Sequence, residues 1–475
     1  KSTSSPRPSL PRGLRYYETH DKTINLNALV ITLSQQYCIE DQAALETPKA
    51  AQVASLASKA VPSPPDRNMD TPSRPLHVAI VGGGLCGLAL AIALERRSIS
   101  FTIYEARPSF TELGAGINLG PNTLEALRLI DPALIDEVLR LCTRNPPPEE
   151  HLWMTVCFGG PTKRFKDANI VTKLNAPPTG NATVRRNDLL QLLANSIRPD
   201  HVSFNKKVVN LTKTVGSVAL AFSDDLLGVD NPAANPQYSG VGAYRAVVPM
   251  HELEAAVCPS IASSSTLFLG PDAYIIMYPV ELDTRVNIGL WVHRLGPEDE
   301  REWVDPSTRE EVRAKFSSWG QTVHKIIALV GDPSFWPTFC HTTQPISVSS
   351  DRVCLIGDSA HSMPPHQGAG AGQAIEDAYV LGEVLSIVSS DSDRCNDQIE
   401  DALKAYSNVR SPRSQKVLET SVEAMDLWCS LYRDDVTEEE IQHFARVAQE
   451  RFHWIWHDNI ADQARRARDT IMIAK

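Results

Sequence analysis

The fold is decided by residues 77–108, which read HVAIVGGGLCGLALAIALERRSISFTIYEARP. The apolar run Val78–Val81 predicts a buried strand, a glycine cluster follows it, and Leu88–Arg96 carries apolar residues at helical spacing. Phe101–Tyr104 predicts a second strand. A strand, a tight turn, a helix and a second strand in this order predict two parallel strands joined by a crossover helix, the unit from which doubly wound α/β sheets are built.

Three glycines of the turn have the spacing of a dinucleotide-binding motif, Gly82-x-Gly84-x-x-Gly87. The first permits a tight turn, the second lets the main chain approach a pyrophosphate, and the third lets the helix pack against the strand. Glu105 ends the second strand 21 residues after Gly84, close to the spacing at which a carboxylate binds an adenosine ribose. Arg107, two residues further on, is assigned to the same site. The motif predicts FAD or NAD rather than NADP, and a packing unit without a ligand is the alternative.

A second glycine-rich segment lies far downstream at residues 357–370, GDSAHSMPPHQGAG. The apolar residues Val353–Ile356 before it predict a strand, and Gln373–Leu385 after it predicts a helix. The segment is therefore a turn at a helix N-terminus, where main-chain N–H groups are unpaired and the helix dipole is positive. Such a turn favours the close approach of an electron-rich ligand.

Composition and charge exclude several classes of protein. The chain has 475 residues, of which 42% are hydrophobic, and a formal net charge of -11, so it can build a sizeable core and disfavours nucleic acid as a partner. Its nine cysteines contain no C-x-x-C pair, which fits a reducing, cytoplasmic compartment. No apolar run approaches the ~20 residues of an integral membrane segment.

Residues 1–74 differ from the rest because they are rich in Ser, Pro, Ala and Thr. This composition predicts a mostly disordered extension or a mis-assigned start. A targeting peptide is the alternative, since Arg7, Arg12 and Arg15 precede any dense acidic run, but no apolar segment with a cleavage site follows them.

Further motifs resemble those of the group A FAD-dependent aromatic monooxygenases, and within them the fungal salicylate hydroxylase-like enzymes. The resemblance covers roughly residues 76–460. Besides the glycine motif with Glu105, it is carried by residues 114–122 (GAGINLGPN), 186–189 (RNDL), 278–279 (Tyr-Pro) and 357–378 (GDSAHSMPPHQGAGAGQAIEDA). The last of these motifs is highly specific.

The resemblance implies an α/β fold with a Rossmann-like FAD-binding domain, an inserted β-sheet substrate domain and C-terminal helices, which is the PHBH-like flavoprotein hydroxylase fold. The expected boundaries are 1–74 for the extension, 75–222 and 346–390 for the two parts of the FAD-binding domain, 223–345 for the substrate domain and 391–475 for the helical region.

The resemblance also implies roles in cofactor binding. Asp358 would bind the ribityl chain of FAD, Pro365 would lie beside the flavin ring, and the helix after Gly370 would direct its N–H groups at the ring's pyrimidine carbonyl. Arg186 would contact the pyrophosphate, and a solvated arginine at a helix start is the alternative. The predicted cofactor site comprises Gly82, Gly84, Gly87, Glu105, Arg107, Gly116, Arg186, Gly357, Asp358, Pro365, Gly368, Gly370 and Ala371.

The implied activity is hydroxylation of a phenolic or aromatic acid such as salicylate. NADH or NADPH would dock transiently and reduce the flavin, and O2 would then give a C4a-hydroperoxyflavin that attacks the electron-rich ring. No second glycine motif for the nicotinamide is visible. A monomer or a homodimer is expected.

Three residues are predicted on the substrate side. Arg245 suits a substrate carboxylate because its fork of donors matches two oxygens, and an exterior strand arginine is the alternative. Tyr274 stands where many relatives carry a histidine. His366, next to Pro365, could exchange a proton near the flavin or simply cap a loop. His453 and His457 share a helical face, but no further ligand cluster is evident, so no metal is expected; Trp454 and Trp456 would instead anchor a closing helix.

One family signature is absent, because the chain contains no Asp-Gly dipeptide. Relatives carry it in a strand–turn segment just before the substrate sheet, whereas here the strand-like Val218–Phe222 runs through residues 223–228 almost directly into Asn231-Pro232. This shortened junction reflects either a gene-model error or a real loss. A real loss leaves a degenerate, non-catalytic homologue as one alternative. An epoxidase or hydroxylase of a larger secondary metabolite is the other, because Arg245 alone does not establish a carboxylate partner.

Overall fold

The computed structural model describes residues 24–26, 28–31, 76–111, 116–214, 217–223, 237–293, 305–341, 348–389 and 395–473. Some of the predicted features lie outside these residues. They are Gly114 and Ala115, most of the extension 1–74, and the shortened junction after Ser223.

The described residues form strands in four sheets. In chain order the strands are β1 (Ile24–Leu26), β2 (Ala28–Ile31), β3 (His77–Val81), β4 (Ser100–Tyr104), β5 (Gly116–Leu119), β6 (Thr143–Arg144), β7 (Leu152–Phe158), β8 (Ile170–Asn175), β9 (Ala182–Arg185), β10 (Val202–Ser203), β11 (Lys207–Thr214), β12 (Ser217–Ser223), β13 (Gln237–Pro249), β14 (Thr266–Gly270), β15 (Ala273–Val280), β16 (Arg285–His293), β17 (Asp305–Pro306), β18 (Ser334–Cys340), β19 (Ser349–Ser350) and β20 (Val353–Leu355).

Helices connect and cover these sheets. In chain order they are α1 (Leu85–Arg96), α2 (Pro121–Ile130), α3 (Leu134–Leu141), α4 (Arg186–Asn195), α5 (Met250–Ala256), α6 (Pro259–Ala262), α7 (Arg309–Lys315), α8 (Gln321–Leu329), α9 (Asp358–His361), α10 (Gly370–Leu385), α11 (Cys395–Ser430), α12 (Glu438–His457) and α13 (Ile460–Ile473).

The α/β prediction is confirmed by a six-stranded sheet with the order β10-β4-β3-β2-β20-β19. Its strands from β10 to β20 run parallel, and the short β19 is antiparallel. The crossover helix α1 is buried from Leu85 to Leu94, because it packs on this sheet and against α10. The strand–turn–helix–strand unit read from residues 77–108 is therefore present as predicted.

Residues 1–74 were expected to be mostly disordered, and two short segments within them form strands. Residues 28–31 form β2 inside the six-stranded sheet, and residues 24–26 form β1, which pairs with β12 in a three-stranded sheet. Composition alone missed them because a strand of three or four residues inside a long polar segment has little local signal.

The part of the chain predicted as the substrate domain contributes most strands of an eight-stranded sheet with the order β17-β18-β13-β16-β15-β14-β7-β8. Two of its strands, β7 and β8, come from the part of the chain that was assigned to the FAD-binding domain, so the predicted boundary at residue 222 does not delimit this sheet. The physical reason is that β7 pairs with β14, more than 100 residues later, and no local pattern encodes such a pairing.

Helices cover both faces of the eight-stranded sheet. One face packs on the C-terminal helices α11 and α12 through a core that includes Trp153 and Trp428. The other face packs on α7 and α8 through Phe316 and Val323. This double cover explains why every residue of β7 is buried.

A buried network of charges ties α11 to α10. The Arg410 guanidinium donates from Nε to Asp377 Oδ1 at 2.8 Å and from Nη1 to Glu376 Oε2 at 2.6 Å. Arg413 donates from Nε to the same Glu376 oxygen at 2.7 Å. Burial opposes ionisation of Glu376, but the two arginines outweigh it and lower the carboxyl pKa to about 2. The network is therefore charged at neutral pH.

Replacement of Arg410 should destabilise the fold strongly. Arg410→Met leaves two buried carboxylates short of a partner, which costs about 3–5 kcal/mol in comparable cases. Urea unfolding at pH 7 measures this loss. The control Arg465→Met removes an exposed arginine of α13 that pairs only with Asp462, and we expect it to change the free energy of unfolding by less than about 1 kcal/mol. Equal losses in the two variants would contradict the assignment.

Candidate active site

The first glycine turn follows β3 and opens α1. Gly82 has φ 102°, a conformation that glycine adopts without strain, and its N–H donates to Tyr104 O at 2.9 Å. Gly84 caps the N-terminus of α1, and Gly87 is buried within it. The carboxylate of Glu105 accepts from Gly83 N at 2.8 Å and from Arg107 N at 2.9 Å. Glu105 is thus fixed at the mouth of the turn, beside the main chain that the sequence predicted for a dinucleotide.

The second glycine turn lies directly against the first. Gly357 has φ 60°, and a Cβ on it would lie 3.0 Å from Cys86 Sγ in the first turn of α1. The Cys86 thiol in turn donates to Ala374 O of α10 at 3.2 Å. The two turns, separated by more than 260 residues in sequence, therefore form one continuous site, as a single extended cofactor requires.

The remaining predicted cofactor residues follow this turn. Asp358 begins α9, Pro365 begins a 3-10 turn that ends at Gln367, and Gly370 and Ala371 begin α10. Gly368 between them has φ 63°. The N-terminus of α10, a helix of 16 residues, is thereby presented at the site.

Asp377 holds the second turn in place and was missed by sequence reasoning. Its Oδ2 accepts from Gly357 N at 2.9 Å and from His361 Nε2 at 2.6 Å, while Arg410 binds its other oxygen. Burial favours the neutral acid, but His361, Arg410 and these hydrogen bonds lower the pKa of Asp377 well below its ordinary value. The available signal was two adjacent acids, Glu376-Asp377, in an otherwise apolar helix.

Gly116 and Arg186 lie where the FAD-binding part meets the substrate sheet. Gly116 begins β5, which pairs antiparallel with β9, and its carbonyl accepts from the Tyr278 hydroxyl at 2.7 Å. A Cβ on Gly116 would lie 2.8 Å from the Tyr278 ring. Arg186 is the first residue of α4, directly after β9.

Two buried polar atoms without hydrogen-bond partners in the described part of the chain support the fit of these residues to FAD. Two buried polar atoms beside the Gly368 turn, Asn118 Oδ1 and Trp153 Nε1, have no hydrogen-bond partner among the described residues. A Cβ on Gly368 would make only ordinary contacts, 3.4 Å from the Asn118 side chain and 3.9 Å from Trp153, so the φ of 63° rather than lack of space favours glycine there. A polar ligand that approaches the turn closely would satisfy groups that are otherwise costly to bury.

The three predicted substrate-side residues come together around Trp291. The Tyr274 hydroxyl and His366 Nδ1 are 2.7 Å apart, and the Trp291 ring stacks on Tyr274 with centroids 6.1 Å apart. The Arg245 guanidinium lies 5.7 Å from the centroid of Trp291 and 5.6 Å from that of Trp336. Neither tryptophan was predicted. Trp291 could have been found by placing β15 and β16 in a hairpin, because it is the direct cross-strand partner of Tyr274.

Burial keeps the tyrosine–histidine pair neutral. Burial, and next His293, lower the pKa of His366 to about 3. Burial also raises the pKa of Tyr274 well above its ordinary value, against the effect of Arg245. Burial lowers the pKa of Arg245, which as a guanidinium stays charged. The cluster therefore combines one fixed cation with two neutral hydrogen-bonding groups.

The C-terminal aromatic motif makes packing contacts through both of its tryptophans. Trp456 stacks on Phe452 with centroids 5.0 Å apart and contacts Trp153, whereas Trp454 lies under the Lys416 ammonium at 4.2 Å. The His453 and His457 rings are neighbours, with centroids 4.2 Å apart. Within the described ranges, no group of three or more His, Cys, Asp or Glu residues could hold a metal ion. A search of the same residues finds no helix with the length and hydropathy of a membrane span.

Fold and site define an FAD-dependent monooxygenase, a flavoprotein oxidoreductase that uses NAD(P)H and O2. A family model described as an FAD binding domain matches residues 75–231 and 251–421. The chain belongs to this family.

Among its relatives, 6-methylsalicylate 1-monooxygenase of Aspergillus terreus is 33% identical over 422 residues, which cover 83% of this chain and 92% of that protein. Salicylate hydroxylase of Pseudomonas putida is 30% identical over 423 residues, covering 82% and 94%. A solved structure of salicylate hydroxylase in a substrate complex superimposes with a TM-score of 0.72 at 27% identity, over 83% of this chain and 98% of that one. The PHBH-like hydroxylase fold expected from the sequence is confirmed.

A methyl group on Gly357 should weaken FAD binding. Gly357→Ala places a Cβ against Cys86 at a positive φ, which strains the turn by about 1–3 kcal/mol. We expect the dissociation constant for FAD, measured by flavin fluorescence, to rise about tenfold or more. Gly331→Ala is the matched control, because a Cβ there meets nothing within 4 Å. Unchanged FAD affinity in Gly357→Ala would refute the close approach of cofactor and turn.

The buried His366 should make the fold sensitive to acid. Its pKa of about 3 lies below the ordinary 6.5, so between these values the unfolded chain binds a proton that the folded chain excludes. Stability then falls as pH drops below 6.5, by about 1.4 kcal/mol per pH unit for this group. Urea unfolding at pH 6.5 and 5.0 should show a smaller loss in His366→Gln than in the unmodified chain. An equal loss of stability in His366→Gln and in the unmodified chain would contradict the prediction. His453→Gln, at an exposed site, is the control.

Proposed function

We propose that the chain hydroxylates a phenolic or other aromatic acid of the salicylate type. One atom of O2 enters the aromatic ring and the other leaves as water, with two electrons from NADH or NADPH. The observation that supports this substrate class is the position of Arg245, a cation held between two indoles beside the neutral Tyr274–His366 pair.

Arg245 is suited to a carboxylate because no carboxylate of the described residues compensates its charge. Among the described residues its guanidinium has no carboxylate partner, and its contacts are with aromatic faces. A buried charge without an opposite charge is costly, and a carboxylate of the substrate would remove that cost while matching the guanidinium fork with two parallel hydrogen bonds.

The Tyr274–His366 pair is suited to a phenolic oxygen. In a neutral pair each group can donate one hydrogen bond and accept another, so the pair orients a hydroxyl without placing a second positive charge beside Arg245. FAD, when bound, accepts electrons from the nicotinamide and activates O2. The chain's own residues position the ring and keep water away: Trp291 and Trp336 cover the guanidinium, and Trp428 Nε1 fixes the His366 carbonyl at 3.2 Å.

The two relatives named as acting on salicylate or 6-methylsalicylate support the same substrate class. An epoxidase or hydroxylase of a larger metabolite, and a non-catalytic homologue, are the remaining outcomes of the test. Purified protein should be yellow, and salicylate should accelerate its oxidation of NADH or NADPH with formation of a hydroxylated product. Stimulation only by a neutral lipophilic compound would favour the larger substrate, and colourless protein that takes up no FAD would favour the non-catalytic homologue.

Loss of the Arg245 charge should weaken binding of the acid selectively. A hydrogen-bonded charge contributes about 1.5–3 kcal/mol, so Arg245→Gln should raise KM for salicylate roughly 10–100-fold. KM for the neutral salicylamide should change little. Arg285→Gln, at an exposed arginine of the adjacent strand β16, is the matched control. Equal changes in KM for the acid and the amide would contradict a carboxylate contact.

A further inference from the structure

A strand from the N-terminal extension lies at the centre of the FAD-binding sheet. Residues 28–31 form β2, which runs parallel between β3 and β20 and pairs with both. These residues precede the range 75–231 that the FAD-binding family model matches. The chain thus completes the core of its cofactor domain with a segment that is not part of the matched domain.

The register of β2 places its end between the two glycine turns. Ile31 is the partner of Val81 on one side and of Leu355 on the other. Val81 immediately precedes Gly82, and Leu355 lies two residues before Gly357. Since the carboxyl ends of parallel strands meet at one edge of the sheet, β2 ends at the edge where the cofactor binds.

Without β2 the sheet would have a gap. Neighbouring strands lie about 4.8 Å apart, so β3 and β20 are separated by roughly 10 Å and cannot pair with each other across the intervening space. The neighbours of Val30 on the two sides, Ile80 and Cys354, are fully buried. Their main-chain groups would lose hydrogen bonds inside the core, or the two strands would have to close up and change the geometry of the glycine turns.

A second strand pairing holds the same N-terminal segment, residues 24–31, in place. Residues 24–26 form β1, which pairs antiparallel with β12, and Ile24 lies opposite Leu220. Only Asn27 separates β1 from β2. Residues 32–76 follow before β3 begins, which is more than the dozen residues that a parallel crossover needs.

We propose that β2 is an inserted strand of the FAD-binding domain, and that the segment 24–31 that carries it sets the spacing of the two glycine turns and is required for FAD binding. The occupant of the slot between β3 and β20 is the chain's own N-terminal segment. The inference depends on the FAD site and is independent of which aromatic acid is the substrate.

Hydrogen exchange of the full-length chain loaded with FAD tests the proposal without any substitution. Peptides that cover residues 28–31 should exchange as slowly as peptides of β3 and β4, because a central strand bonds its N–H groups to the strands on both sides. Exchange of residues 28–31 at the rate of an unstructured peptide would overturn the proposal, whether or not a substrate has been found.

A matched pair of substitutions tests the link to the cofactor. Val30→Pro removes a ladder hydrogen bond in the middle of β2. Val53→Pro introduces a proline at another valine of the N-terminal extension. We expect Val30→Pro to raise the dissociation constant for FAD at least tenfold and to lower Tm, and Val53→Pro to change neither. FAD affinity in Val30→Pro equal to that of the unmodified chain would overturn the proposal. Failure of Val30→Pro alone to fold, together with slow exchange of residues 28–31, would support it.

FAD titration and hydrogen exchange need neither a substrate nor a reductant. A chain that binds FAD but hydroxylates no phenolic acid would therefore contradict the proposed function and leave the inserted strand in place. The reverse result, active enzyme with a fast-exchanging and dispensable segment 24–31, would contradict only the inserted strand.

Discussion

The structure depends on one buried carboxylate. Asp377 binds the main chain of the Gly357 turn with one oxygen and the Arg410 guanidinium with the other, so a single side chain joins the flavin-side turn to the long C-terminal helix. Because desolvation of a charge is expensive, the carboxylate is tolerable only while all of these partners stay in place. The position of the turn and the docking of α11 on α10 are therefore coupled, and neither can shift without the other.

The same coupling explains why the predicted substrate-side residues lie where the six-stranded sheet and the eight-stranded sheet meet. The 3-10 turn that follows the Gly357 turn carries His366 to Tyr274 on β15, and the main chain of His366 is held by Trp428 of α11. Tyr274 and Arg245 belong to the eight-stranded sheet and reach Trp291 from neighbouring strands. A site divided between a strand end and a separate sheet keeps its geometry because both parts pack on the same C-terminal helices.

The sequence predicted those parts of the fold that local geometry dictates. Gly82 and Gly357 have positive φ, and a glycine in the sequence is a direct signal of such a conformation. Pairing between distant segments is different, because the hydrogen bonds of a ladder are made by the main chain and carry no residue code. For that reason β7 was placed with the FAD-binding part although it pairs with β14 and β8 in the eight-stranded sheet, and Trp291 was missed although Tyr274, its partner across the strands, was chosen. Arg245 and His366 were predicted singly; that both contact Trp291 depends on registers that no motif records.

The inserted strand shows the limit of a motif-based domain boundary most clearly. A parallel sheet needs a main chain at the position between β3 and β20, and any segment of four residues that can be extended and buried there meets the need. The absence of the Asp-Gly dipeptide signalled that the junction before β13 departs from the family pattern, and composition placed residues 1–74 outside the fold. Each of these two predictions was made from one segment alone. Strand pairing depends on both partners: β12 pairs with residues 24–26, and β20 pairs with residues 28–31.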